Sequence, residues 1–185
     1  FSTQMGYKAT DKLYYTAMAD FKSQFAKGYN YKNDTKGPYI SKFLAPGYSN
    51  VSLGLDYRPK DFFSLYFSPV ASKFTFVTDK VLSDAGAFRA QFGTYLNDRF
   101  EKELVKNVKV ISTADFFTAY SKDFGNVDVN WDLLVSMKVN KFLSANINTT
   151  LKYDDDIKSI DKNGNTRGPK VQFKEVLGVG FAYNF

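Results

Sequence analysis

The chain has 185 residues, a formal net charge of +6, and neither cysteine nor histidine. Without cysteine there is no disulfide framework, thiolate metal site or thiol nucleophile; without histidine there is no Ser-His-Asp arrangement and no imidazole ligand. The 25 Lys and Arg residues are scattered among 19 acids with no basic run, so the positive balance is not a nucleic-acid footprint and no nucleic-acid partner is expected.

Aromatic residues make up 18% of the chain, yet its mean hydropathy is only -0.34. No apolar run approaches the ~18 residues that a membrane helix needs. Such a chain is apolar on alternate residues, which is the period of a strand. Residues 1–9 read as the end of a strand turning at Thr10-Asp11-Lys12. Leu13, Tyr15, Ala17, Ala19, Phe21 and Phe25 then alternate with Tyr14, Thr16, Met18, Asp20, Lys22 and Gln24. A longer loop, 26–47, rich in Gly, Asn and Lys, precedes a strand with Val51, Leu53, Leu55 and Tyr57 on one face. Arg58-Pro59-Lys60-Asp61 turns the chain, and Phe63, Leu65 and Phe67 begin the return, followed by a loop at 79–87. Residues 88–105 and 108–121 form a less regular pair around Lys106-Asn107; Asp98 falls on its apolar face, which predicts a bulge or a protein contact there.

After a short connection at 122–126, the pattern is clearest. Val127, Val129, Trp131, Leu133, Val135, Met137 and Val139 share one face, opposed by Asp128, Asn130, Asp132, Leu134, Ser136, Lys138 and Asn140. Asn140-Lys141 reads as a tight turn. Leu143, Ala145, Ile147, Thr149, Leu151 and Tyr153 continue the apolar face, and Lys152 lies on the polar one. A loop at 157–170 leads to the last strand, where Phe173, Leu177, Val179, Phe181, Tyr183 and Phe185 oppose Lys174, Gly178, Gly180, Ala182 and Asn184. Short turns alternate with mostly long loops, the periplasmic and extracellular ends of an outer-membrane barrel. The fold expected is an all-β, antiparallel up-and-down transmembrane barrel over residues 1–185, with about eight full strands and a partial first one. Alternation alone leaves open which face is inside; a soluble lipid-binding barrel would reverse the two.

The terminal aromatics Phe181, Tyr183 and Phe185 resemble the C-terminal signal read by the barrel-assembly machinery. Further motifs resemble a family of Bacteroidota outer-membrane barrels known only as a domain of unknown function. They are Tyr153-Asp154-Asp155-Asp156-Ile157, Gly168-Pro169 and Gln172-Phe173-Lys174-Glu175-Val176-Leu177-Gly178-Val179-Gly180, with Asp128-Val129-Asn130-Trp131 and Met137-Lys138-Val139-Asn140-Lys141. Leu44-Ala45-Pro46-Gly47, Gly54-Leu55-Asp56-Tyr57 and Phe67-Ser68-Pro69 also match. The similarity spans essentially the whole chain. That family carries further strands upstream, after a signal peptide, so the resemblance implies a C-terminal portion with a truncated N-terminus. It implies a bacterial outer-membrane location but no mechanism.

Chemistry is sparse. Asp154, Asp155, Asp156 and Asp161, with Asn163 and Asn165, offer oxygens to a divalent ion, but the glycine and the bidentate Glu of a calcium loop are missing. The plainer reading is a solvated hairpin turned by Asn163-Gly164. Asp20, Lys22, Asp56, Asp115, Asp128, Asp132, Lys138, Lys152 and Lys174 are expected to face the lumen, where mixed signs favour mutual pairing over a conducting pore. Leu133, Val135, Met137, Leu143, Ile147, Leu151, Leu177, Val179 and Phe181 are expected to face lipid. The same-face pairs Asp128/Asp132 and Glu101/Glu103 arise from strand alternation and are not read as catalytic. Tyr57, Phe62, Phe63, Tyr120, Trp131, Tyr153 and Tyr183 read as girdle residues; for the loop aromatics Tyr29, Tyr31, Tyr39 and Phe43 the rival reading is a sugar-binding platform. No enzyme activity and no cofactor are expected. Lipid, lipopolysaccharide, the assembly machinery and other outer-membrane proteins are the expected partners. The function expected is a structural or accessory subunit of a larger membrane complex, with a small channel or ligand transporter as the alternative.

Overall fold

A strand with one apolar and one polar face cannot be stable alone, so the chain folds into one long ladder. The computed structural model describes residues 1–32, 35–79, 82, 88–121, 124–155, 157–160 and 165–181. In chain order the strands are β1 (Ser2–Lys8), β2 (Leu13–Ser23), β3 (Gly28–Lys32), β4 (Thr35–Ser41), β5 (Gly47–Lys60), β6 (Phe63–Phe76) and β7 (Phe88–Val105). They continue as β8 (Val108–Ala119), β9 (Asp128–Lys138), β10 (Leu143–Tyr153), β11 (Lys158–Ile160), β12 (Thr166–Pro169) and β13 (Gln172–Phe181). Nine of them form one sheet in the order β1-β2-β5-β6-β7-β8-β9-β10-β13. Every neighbouring pair is antiparallel. The two small hairpins β3-β4 and β11-β12 stand within segments expected to be loops. Tyr29, Tyr31, Tyr39 and Ile40 have the residue types that favour strands, and Lys36 lies over the Tyr29 ring at 3.7 Å.

The turns carry their own chemistry. Asn107 takes a left-handed conformation (φ 69°) between β7 and β8, which asparagine tolerates better than most residues. The tight two-residue turn expected at Asn140-Lys141 does not form. Asn140 Oδ1 instead accepts the Phe142 and Leu143 N–H groups at 2.8 and 2.9 Å, closing a longer connection. Phe25 leaves the apolar face predicted for it, because β2 ends at Ser23; its ring stacks on Phe43 at 5.9 Å.

The main irregularity is a bulge at Pro69. Proline has no N–H to donate, so it sits in a sheet only where pairing is interrupted. The register slips on both sides of it, between Leu53/Leu55 toward β5 and Ser68/Ala71 toward β7. Ser68 Oγ bridges the bulge, 2.7 Å from the Leu53 carbonyl and 2.8 Å from that of Val70. The Tyr120 hydroxyl donates to the Pro69 carbonyl. Opposite the bulge, Gly54 lies so close that a Cβ there would meet the Phe67 carbonyl oxygen at 2.1 Å. By contrast, the register through Asp98 is continuous from Thr94/Thr118 to Glu103/Lys109, so no bulge explains that residue.

The two faces of the ladder are inverted relative to a water-soluble protein. The face bearing Asp20, Asn50, Tyr66, Asn97, Asp115, Asp132 and Lys174 is continuous across the registers. On it, Thr16, Ser52, Asp56, Ser68 and Tyr66 are buried. The opposite face carries Leu53, Phe67, Phe92, Leu177, Val179 and Phe181, all exposed; Leu177 is 71% and Phe181 84% exposed. Buried polar groups and a wide exposed apolar surface are the two observations that call for explanation in any fold.

The sheet curls with its polar face inside. Lys73 on β6 reaches Asp128 on β9 at 2.9 Å, although two strands lie between and a flat sheet would separate them by about 14 Å. Gln4 on β1 likewise reaches over β2 to Asp56 on β5 at 3.0 Å. The all-β antiparallel expectation holds. The ring expected of a barrel is not completed among the described residues, because β1 and β13 each pair on one side only.

Candidate functional site

The curled polar face encloses a cavity of about 430 Å³ at the loop end of the sheet. It is lined from β2, β5–β10 and β13, because each strand contributes the polar members of its alternation. Five of the nine residues expected to face a lumen meet there: Asp20, Lys22, Asp115, Asp128 and Lys152. The other four share the face but not the cavity. Asp56 is buried nearer the turns, Asp132 accepts the Thr150 hydroxyl at 2.6 Å, and Lys138 and Lys174 are exposed.

Each acid of the cavity has a local partner. Lys73 Nζ lies 2.9 Å from Asp128 Oδ2 and 3.7 Å from Asp154 Oδ2, tying β6 to the end of β10. The Asn50 amide donates to both oxygens of Asp20, at 3.1 and 3.0 Å. Asp115 accepts from the Tyr95 hydroxyl, from Asn97 Nδ2 at 2.8 Å and from Asn130 Nδ2 at 3.3 Å. Neutral amide and phenol donors thus satisfy two carboxylates without a cation, which holds the walls in place.

Toward the turns the interior is packed. Tyr66 is 3% exposed, its ring 6.0 Å from that of Tyr95, and its hydroxyl donates to Ser52 Oγ at 2.9 Å. Below it, the Arg58 guanidinium grips Asp56 Oδ2 through Nε at 2.8 Å, and Gln4 donates to the same oxygen. These side chains give the cavity, a cup at the loop end of the sheet, its floor.

Lys73, Tyr95, Asn50 and Asn130 were not legible as site residues. Counting by two from Phe63 puts Lys73 on the apolar face, and the bulge at Pro69 reverses that parity. Pro69 inside a strand-like run was the available signal. The ion-pair network gives a first prediction. Lys73→Met and Asp128→Asn should be non-additive in unfolding free energy by about 1 kcal/mol, within the range for coupled neighbours, as read from denaturant midpoints of the single and double variants. Strict additivity would mean that the pair is only a surface contact.

The weak metal candidates do not assemble. Asp154 pairs with Lys73, and Asp155 accepts from Asn126 Nδ2 at 2.6 Å and from the Tyr153 hydroxyl at 3.0 Å. Asp156 and Asp161 lie outside the described residues, and among those described no group of three metal-ligating side chains forms. Of the terminal aromatics, Phe181 ends β13 on the apolar face, while Tyr183 and Phe185 lie outside the described residues. Of the loop aromatics, Tyr29 lies under Lys36, Phe43 stacks on Phe25 and Tyr31 is exposed, while Tyr39 donates to Asp79 at 3.1 Å and Lys42 pairs with the same carboxylate. Hydrogen bonding to Asp79 holds the Lys42 ammonium above its ordinary range. The residues expected to face lipid all lie on the apolar face: Leu133, Val135, Met137, Leu143, Ile147 and Leu151 at mid-sheet, and Leu177, Val179 and Phe181 on the edge strand.

No protein-family model, curated protein or solved structure matches this chain.

Proposed function

We propose that this chain belongs to a β-barrel embedded in a bacterial outer membrane, acting as a structural or accessory subunit of a larger assembly. One observation carries the reading: the polar face is turned inward and internally paired, while the exposed face is apolar from Met5 on β1 to Phe181 on β13. In water such a surface would be a large liability; against hydrocarbon it is the favourable one. A soluble lipid-binding barrel keeps charged side chains out of its interior, and the inward face here carries Asp20, Asp115 and Asp128 beside Met18, Ala71 and Phe117. Every strand of the main sheet from β2 onward has at least 10 residues, enough for a tilted crossing of the hydrocarbon layer.

The packed floor of Tyr66, Tyr95, Asp56 and Arg58 favours a filled interior over an open pore. The cup above it is the specific observation behind a second reading, a small ligand-binding or conducting barrel. Two measurements decide. The protein is expected to need detergent to stay monodisperse and to change gel mobility on heating; a monodisperse species without detergent overturns the membrane reading. In planar bilayers it is expected to show no single-channel conductance above background, and steady unitary currents would instead favour the channel.

A further inference from the structure

We infer that the outer flank centred on Asp98 is an interface for a membrane-embedded segment of a different protein, one that presents a lysine or arginine at that level. The inference rests on the outer-membrane reading above and names the contact through which an accessory barrel would join its assembly. Asp98 lies on the apolar face of β7, between Leu65 on β6 and Ala114 on β8, with Leu96 and Phe100 two residues to either side along its own strand. No hydrogen bond or ion pair joins it to any described residue. The polar face treats its acids otherwise, each of Asp20, Asp56, Asp115 and Asp128 having a donor in contact. A lone carboxylate against hydrocarbon is unfavourable and normally marks a partnered or functional position.

Among the described residues no Lys or Arg forms an ion pair with Asp98. Lys102, on the same face, is four residues along β7, about 13 Å away at the usual rise, and sits over the Phe62 ring at 4.5 Å. The surroundings suit a protein partner better than lipid. Ala114, 7% exposed, lies between Asp98 and Trp131 in the cross-strand row, its small side chain covered by its neighbours, so the carboxylate and the indole are the groups presented there. Trp131 is held by its Nε1–H to Ser112 Oγ at 2.9 Å, a fixed aromatic of the kind that anchors interfaces. A second copy does not fit. Two copies related by an axis normal to the membrane bring the same level together, where Asp98 would meet Leu65, Ala114, Trp131 or another Asp98, none of them cationic. Glu175, the other acid of this face among the described residues, is on the edge strand β13.

The test uses the tagged full chain in its native membranes, extracted in mild detergent and run on native gels, beside the same variants purified and refolded alone in detergent. Asp98→Glu should keep the complexed fraction. Asp98→Leu and Asp98→Lys should lower it at least about tenfold, because a repulsive or absent charge removes the recognition. Ser72→Val, on the same face at β6, should leave it unchanged. Alone in detergent, Asp98→Leu should stay folded and heat-modifiable, with an unfolding midpoint equal to or above that of the parent. A complex indifferent to Asp98→Lys, a complex built only of copies of this chain, or an Asp98→Leu protein that fails to fold by itself would each overturn the inference. Loss of membrane association by the parent chain would overturn the reading beneath it, and is seen separately, in the fractionation.

Discussion

Ile147→Asp is expected to abolish assembly of the protein into membranes, while Asn148→Asp one residue away is tolerated. Ile147 sits at mid-strand in β10, flanked on the apolar face by Val135 of β9 and Leu177 of β13. Asn148 is on the other face, beside Leu134 and Val176. A charge on the lipid side of a barrel costs about 2–4 kcal/mol near the midplane for a basic residue and somewhat less for Asp. That is a substantial share of the roughly 5–15 kcal/mol by which most domains are stable. Asn148 is exposed, with the Thr150 hydroxyl 3.5 Å from its Oδ1, so a carboxylate there stays solvated and costs little. Heat-modifiable mobility of the membrane fraction reads both variants. Equal tolerance of the two would mean that the faces are assigned the wrong way round.

The second large effect is steric. Gly54→Val is expected to destabilise the protein by more than about 4 kcal/mol, a magnitude reserved for severe backbone conflict. A Cβ at this position would lie 2.1 Å from the Phe67 carbonyl oxygen and 2.7 Å from Ser68 Cα. Both are backbone atoms, pinned by the bulge, the Ser68 hydroxyl and Ala71 pairing with Gly93, so neither can retreat cheaply. Gly168→Val meets nothing within 4 Å and serves as the control. Denaturant midpoints of the refolded variants check the contrast; a Gly54→Val midpoint close to that of Gly168→Val would show that the bulge is not rigid.

Much of the ladder was legible because its signal is simple. The β9-β10 hairpin carries an unbroken period of two, and the residues expected on each face are found there, with Leu133 opposite Thr149 and Asp132 opposite Thr150. What failed to read through were the places where the period is interrupted. The bulge at Pro69 moves Lys73 across the sheet, so the cation that ties Asp128 to Asp154 was hidden by a miscount of one. The hairpins β3-β4 and β11-β12 are too short for alternation to stand out against Gly, Asn and Lys. The cavity itself depends on curvature, which brings β2, β6 and β10 around one space, and no local pattern encodes that. Nor could alternation distinguish the inner face from the outer; the burial of Asp56, Ser68 and Tyr66 does.

The antiparallel ladder of nine strands also fixes a directional rule at its edges. Ser2 pairs with Asp20 and Gln172 with Lys152, so β1 and β13 both start at the loop end and run the same way. If these edges met directly, they would form a parallel seam in an otherwise antiparallel wall. Identical copies standing upright in one membrane offer each other only parallel edges as well. A ring that is antiparallel throughout therefore requires an odd number of additional strands between β13 and β1, giving the even total found in bacterial single-chain barrels. Polarity, more than length or hydrophobicity, decides which segments can complete this wall.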